Sequence, residues 1–240
     1  MAIYSIADLH LSGSVDKPMD VFGHRWQGYF EKIETRWRAV VEENDTVVVP
    51  GDISWAMTLD EAETDLRFID SLPGKKLIGK GNHDFWWQTM TKMNRFLEER
   101  DIRTIRFLYN NAYAVEDKVI CGTRGWYVEE KFQQKARNNP DYDKIVAREA
   151  GRLELCLAEA ENLCCETGAG EIVVYFHFPP VFGTFVCREL VEVMQRHEIK
   201  RCFYGHIHGV YNIPYHMEFE GIDMTIISAD YLDFVPMRLR

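Results

Sequence analysis

The chain has 240 residues, 46% of them hydrophobic and 28% charged, the balance of an ordinary soluble globular protein with material for a core, which argues against disorder. At this length one compact domain spanning residues 1–240 is expected, since layered α/β chains often run past the size at which helical chains divide. Twenty-eight basic against 38 acidic residues give a formal charge of −10, a field that disfavours general nucleic-acid binding.

The start, Met1 to Ala7, has no basic flank and soon meets Asp8 and His10, so it reads as a first strand and not as a signal peptide. No apolar stretch approaches the roughly 20 residues needed to span a bilayer, so no membrane association and a cytoplasmic location are expected. Short, β-branched-rich runs then recur at 3–7, 46–49, 76–78, 104–108, 112–115, 119–121, 171–176, 201–204 and 224–227. Between several of them lie segments of helical periodicity, such as Phe30, Ile33, Trp37, Val40 and Val41, then Leu59, Ala62, Leu66 and Ile69. Strands alternating with helices imply a layered α/β fold.

Residues 128–138 look like a polar surface excursion. The longest helix is expected over about 141–165, where Val146, Leu153, Leu157, Ala160 and Cys164 form one apolar stripe. Asn139 can cap it, Pro140 suits its first position, and Gly168 lies beyond its end. The cysteines, Cys121, Cys156, Cys164, Cys165, Cys187 and Cys202, form no Cys-x-x-Cys pair and read as reduced, mostly buried thiols.

Several of the runs end in polar groups suited to chemistry. In Asp8-Leu9-His10, extended geometry would turn side chains two apart to the same face. Val49-Pro50-Gly51-Asp52 sets a carboxylate past a strand, although Gly-Asp is also ordinary turn chemistry. Gly81-Asn82-His83-Asp84 offers an amide, an imidazole and a carboxylate in succession, which a plain turn does not need. His177 closes an apolar run stopped by Pro179 and Pro180, and Gly205-His206-Ile207-His208 gives two imidazoles at strand spacing. Each alone has a bland account as a turn, boundary or surface residue. Their conjunction argues for a site, because the carboxyl ends of strands in an open α/β sheet gather on one side.

The ordered set Asp8-x-His10, Gly51-Asp52, Gly81-Asn82-His83-Asp84, His177 and Gly205-His206-x-His208 resembles the calcineurin-like metallophosphoesterases. The resemblance implies a four-layer α/β/β/α sandwich and a dinuclear centre. Asp8, His10, Asp52 and His208 would surround one ion and Asp52, Asn82, His177 and His206 the other, with Asp52 bridging. Such mixed carboxylate, amide and imidazole donors suit Mn²⁺, Fe²⁺ or Zn²⁺. The implied reaction is phosphoester hydrolysis by a metal-bridging hydroxide, with His83 as general acid and Asp84 holding its ring.

Protein phosphatases of this superfamily carry an arginine before Gly-Asn-His and a glutamate after it. Here Lys80 and Asp84 stand in those places, which turns the expectation toward a phosphodiester or nucleotide-type substrate. A phosphomonoesterase, including a protein phosphatase, is the alternative, and a non-catalytic metal-binding scaffold the alternative of another class. Arg124, between glycines, and His24 and Arg25, in the loop after the first ligand pair, are candidate substrate contacts. Trp55, Trp86, Trp87 and Trp126 lie near proposed ligands, either as a stacking wall for a base or as packing.

Overall fold

The β-branched runs form strands close to where their sequence places them, in a computed structural model that describes residues 1–239. By internal contacts the chain falls into two compact units. One comprises Met1–Phe107, His206–Ile213 and the segment from Ile227 onward, the other Leu108–Gly205 and Pro214–Ile226.

Through the first unit the chain runs β1 (Ile3–Ser5), α1 (Tyr29–Val40), β2 (Thr46–Val49), α2 (Glu63–Ser71), β3 (Lys75–Ile78), α3 (Met90–Glu99) and β4 (Ile105–Phe107). The second unit carries β5 (Asn111–Val115), β6 (Lys118–Thr123), α4 (Glu130–Arg137), α5 (Tyr142–Thr167), β7 (Glu171–Phe176), β8 (Val181–Phe182), β9 (Phe185–Val186), α6 (Arg188–Arg196), β10 (Arg201–Tyr204), β11 (His216–Phe219) and β12 (Ile222–Ile226). A last strand, β13 (Met237–Arg238), returns to the first unit.

The sheet of the first unit has the order β13-β1-β2-β3-β4, parallel except for β13. Val47, Val48 and Val49 are all fully buried, as expected of a parallel strand covered on both faces. The helices bury one stripe each: Ile33 and Trp37 on α1, Leu66 and Ile69 on α2, Met93, Phe96 and Leu97 on α3, at the three- and four-residue spacing of one helical face. A buried cation, Lys76, is accommodated where β3 begins. Its Nζ donates to the Gly74 carbonyl at 2.9 Å, to Thr104 Oγ1 at 2.9 Å and to the Leu72 carbonyl, while burial pushes its pKa down to about 8.

In the second unit the order is β11-β12-β10-β7-β6-β5, with β12, β10, β7 and β6 parallel. Helix α5, 26 residues long, packs along β5, β6 and β7 and against α6. It buries Val146, Leu153, Cys156, Leu157 and Ala160. Gly168 ends it in the left-handed region at φ 75°, its amide bonding the Cys164 carbonyl, which is the expected C-terminal glycine.

The start of α5 differs from expectation. Asn139 Oδ1 accepts from the Asp141 amide at 3.0 Å, but Pro140 stays outside the helix, which begins at Tyr142 without a side-chain cap. The expected excursion at 128–138 is exposed yet mostly helical: α4 buries no residue, and its Glu, Lys, Gln, Ala and Arg are strong helix formers that need no core. Both units are therefore mixed α/β, with largely parallel sheets flanked by helices. Among the described residues no helix is long and apolar enough to cross a membrane. The cysteines are free thiols, four of them buried.

Candidate metal centre

Strands β1, β2 and β3 run parallel, so Asp8 and His10, Asp52, and the segment Asn82 to Asp84 emerge at one edge of the first sheet. The backbone there is not extended. Asp8, His10, Asp52 and His206 have φ of 62°, 48°, 51° and 69°, so the strand-spacing argument for Asp8 with His10 and for His206 with His208 is replaced by local left-handed turns. Non-glycine residues in that region cost of order 1–3 kcal/mol each and persist only where the surroundings over-determine them. Here hydrogen bonds between the turns after β1 and β2 do so: Asp8 N to Gly51 O at 3.0 Å, His10 N to Asp52 O at 2.9 Å and Leu11 N to Ile53 O at 2.9 Å.

These turns bring ligand atoms of Asp8, His10 and His208 within 4.8 Å of one another, and those of Asp52 and His206 likewise. The two Nε2 atoms of His10 and His208 face each other at 3.2 Å. His208 Nε2 lies 3.8 Å from Asp8 Oδ1 and His10 Nε2 lies 3.6 Å from Asp52 Oδ2. The His206 amide donates to both Asp8 oxygens, at 3.0 and 2.8 Å. Asp52 Oδ1 accepts from the His83 amide at 2.8 Å, the Asp52 carboxylate also accepts from the backbone of Asn82, and Oδ2 is the oxygen near His10.

The electrostatics favour a cation. Burial lifts Asp8 to about 6. Burial, then the neighbouring carboxylates of Asp84 and Asp8, raise Asp52 well above the ordinary range. Burial and the surrounding His208, His83 and His206 hold His10 far below its ordinary value, so it is neutral with a lone pair to offer. Crowded, desolvated carboxylates beside neutral imidazoles form a donor set that a divalent ion stabilises and that no thiolate disturbs. His208 differs: burial alone would lower it, but Asp8 and Asp230 raise it.

Asp84 has another role than the expected one. Its carboxylate, 2% exposed, accepts from the amides of Asp52 at 2.9 Å, Ile53 at 2.8 Å, Ser54 at 3.3 Å and Gly81 at 2.7 Å, and from Trp86 Nε1 at 3.1 Å. It binds the turn after β2 to the turn after β3 instead of holding the His83 ring. The same two turns touch backbone to backbone. A Cβ on Gly51 would sit 2.5 Å from Gly81 N, and one on Gly81 would sit 2.0 Å from Asp52 Oδ1, so only glycine fits at either place.

His83 is half-buried, its ring centroid 4.3 Å from that of Trp55 and 5.5 Å from that of His10. Burial, then the charges of Lys17 and His208, push it down to about 4. It is therefore a neutral imidazole at pH 7, with one N–H to donate.

Asp230, not singled out from the sequence, is fully buried and accepts from His208 Nδ1 at 2.8 Å. The only signal for it is an acid two residues past a buried Ile-Ile-Ser run. Arg25 is committed elsewhere than to a substrate: its Nη1 donates to the Asp230 carbonyl at 2.8 Å and its guanidinium lies 3.8 Å from the Tyr211 ring. His24 is exposed in a short 3-10 turn.

The tryptophans pack. Trp86 and Trp87 are 0% and 8% exposed. Trp55 stacks on His10 at 4.9 Å with Lys17 Nζ 3.7 Å over its ring, and Trp126 sits edge-on to Tyr142 at 6.2 Å. In the second unit His177 is fully buried just past β7, its carbonyl accepting from Gly205, the residue before His206. Arg124 lies beside Phe178, its Nε buried without a hydrogen-bond partner among the described residues.

A comparison with curated proteins finds no match. Two solved structures share the fold. A protein of unknown function from Aquifex aeolicus is 16% identical, with a TM-score of 0.51 and coverage of 99% of this chain and 95% of its own. The phosphopantetheinyl hydrolase PptH from Mycobacterium tuberculosis is 15% identical, with a TM-score of 0.54 and the same coverage of 99% and 95%. Residues 1–210 match the calcineurin-like phosphoesterase family, and with the donors of Asp8, His10, His208, Asp52 and His206 gathered as described, this chain belongs to the calcineurin-like phosphoesterases, metal-binding hydrolases of phosphoester bonds.

Proposed function

We propose that this protein hydrolyses a phosphodiester or nucleotide-type phosphoester of a small molecule with two divalent ions, Mn²⁺, Fe²⁺ or Zn²⁺. The observation that carries this reading is the convergence of Asp8, His10 and His208 at the end of β1, beside Asp52 and His206. Asp8, His10, Asp52 and His208 would hold one ion, and Asp52, Asn82, His206 and His177 the other. When bound, the ions neutralise phosphoryl charge and activate water.

The remaining steps fall to the chain. The left-handed turns hold the two carboxylates in place, Asp8 on the His206 amide and Asp52 on the His83 amide. Asp84 fixes the backbone of the turns after β2 and β3, and so the spacing of His83 from Asp52. With the negative charge of the phosphoester beside it, His83 would take up a proton as imidazolium and pass that proton to the departing oxygen as the P–O bond breaks, returning to the neutral ring. Arg124, with donors to spare, grips a non-reacting phosphoryl oxygen. Lys80 and Asp84, in place of the arginine and glutamate of the protein phosphatases, support a substrate other than a phosphoprotein.

Reconstitution with Mn²⁺ and parallel turnover of bis(p-nitrophenyl) phosphate and p-nitrophenyl phosphate tests the proposal. Faster cleavage of the diester is expected. Cleavage of the monoester alone would indicate a phosphatase, and two bound ions with neither ester cleaved would indicate a scaffold. Replacing His83 by Ala should abolish most turnover while both ions still bind.

A further inference from the structure

Asp230 lies outside every motif that defines the site, yet its carboxylate bonds Nδ1 of the proposed ligand His208, the ring nitrogen away from Asp8 and His10. We infer that Asp230 is a positioning residue that fixes the ring and tautomer of His208 so that Nε2 faces the ion, an inference that rests on the metal-dependent reading above.

The geometry is specific. Asp230 Oδ1 lies 2.8 Å from His208 Nδ1, while Oδ2 accepts from the Gly209 amide at 3.0 Å and from the Tyr211 hydroxyl at 2.9 Å. An ionised carboxylate only accepts, so Nδ1 carries the hydrogen and, in the neutral ring, Nε2 carries the lone pair. That Nε2 is the atom near Asp8 and His10. The two donors on Oδ2 fix the plane of the carboxylate, so it cannot swing from the imidazole.

The Asp230 backbone is itself braced, since its carbonyl accepts from Arg25 Nη1 at 2.8 Å and Arg25 stacks over Tyr211. Arg25, Tyr211 and Asp230 thus form one support behind His208, and the loop that follows the first ligand pair contributes to it. Carboxylate partners of this kind orient a metal-binding histidine and raise its basicity, and their loss typically weakens metal binding about 10- to 100-fold.

The plainer role would be a buried acid that only ties residues 208–211 to residue 230. Asp230→Asn keeps the shape and removes the charge: with its oxygen on Nδ1 its NH₂ would face the Gly209 amide, and flipped it would donate to Nδ1, so neither orientation holds the ring as the carboxylate does. Titration of the apo protein with Mn²⁺ should show two ions bound by the wild type and, in D230N, an affinity at one of them lower by about 10- to 100-fold, with an unchanged circular dichroism spectrum.

A readout that does not depend on any variant folding is ¹⁵N NMR of the Zn²⁺-loaded wild type, where His208 should carry its proton on Nδ1 in a strongly deshielded hydrogen bond. A proton on Nε2, or D230N binding both ions with wild-type affinity, would overturn the inference. A wild type that binds no Mn²⁺ or Zn²⁺ overturns the metal reading itself, and the inference with it.

Discussion

The turns after β1, β2 and β3 and the helix α5 solve opposite problems. Along α5 the backbone is uniform, and four of the five residues its periodicity marks, Val146, Leu153, Leu157 and Ala160, are buried, with Cys156 and Glu149 beside them and Cys164 only partly covered. In the turns, Asp8, His10 and Asp52 sit in left-handed backbone that their side chains disfavour. They are held there by amides, by the Asp84 carboxylate and by contact between Gly51 and Gly81. The helix owes its place to transfer of apolar surface, which tolerates small changes at each site. The turns owe theirs to interlocking polar contacts, where removing one partner leaves several buried groups unsatisfied.

The contrast is sharpest at Asp84. Asp84→Ala strands four backbone amides and an indole, and should cost about 3–5 kcal/mol in urea unfolding and lower Mn²⁺ affinity with it. Leu157→Ala, at a fully buried position on α5, should cost about 3 kcal/mol as lost burial plus cavity, with Mn²⁺ binding unchanged; altered binding would break the division between the two regions.

One substitution made in both regions should change sign. Gly81→Ala drives a methyl group into Asp52 and is expected to cost about 2–3 kcal/mol by overpacking, with turnover falling alongside stability. Gly151→Ala meets nothing within 4 Å on exposed α5 and should stabilise by about 0.5–1 kcal/mol, by relieving the helix of a flexible residue. Thermal unfolding of the two variants decides it.

The smallest effect belongs to His197, which links the end of α6 to Glu161 at 2.7 Å and Glu154 at 2.6 Å on α5. Burial pushes its pKa down, but the hydrogen bonds to the two glutamates outweigh that and raise it above 6.5. A base raised in the folded state adds stability that is fully present below pH 6.5 and is lost as pH rises through the higher folded value. With exposed partners the gain should stay below about 1 kcal/mol. The midpoint difference between wild type and His197→Gln, followed from about pH 6 to pH 8, should shrink with rising pH.

Most strands and the long helix were legible because periodicity and β-branching act locally. The runs at 46–49, 171–176 and 201–204 coincide with β2, β7 and β10. Helices α3 and α6 were not read, although each buries a clear stripe, because their apolar residues are few and interleaved with charge. The edge strands β11 and β13 were also missed, since their partners lie elsewhere in the chain. The residue types of the site were legible too, because divalent-metal chemistry restricts donors to a few side chains, and Asp8, His10, Asp52, His206 and His208 carry such donors in short motifs.

What the amino-acid sequence determined by itself is therefore the α/β class, the principal strands, the helix α5 and the set of candidate ligands. Only the tertiary structure decided how those ligands are presented. It placed Asp8, His10, Asp52 and His206 in left-handed turns, gave the Asp84 carboxylate to backbone amides, turned Arg25 toward Tyr211 and put Asp230 behind His208. The physical reason is that propensity and periodicity report what a segment does alone, whereas strain in a turn and the partner of a buried carboxylate are set by groups as far as 205 residues away in the chain, as Arg25 is from Asp230.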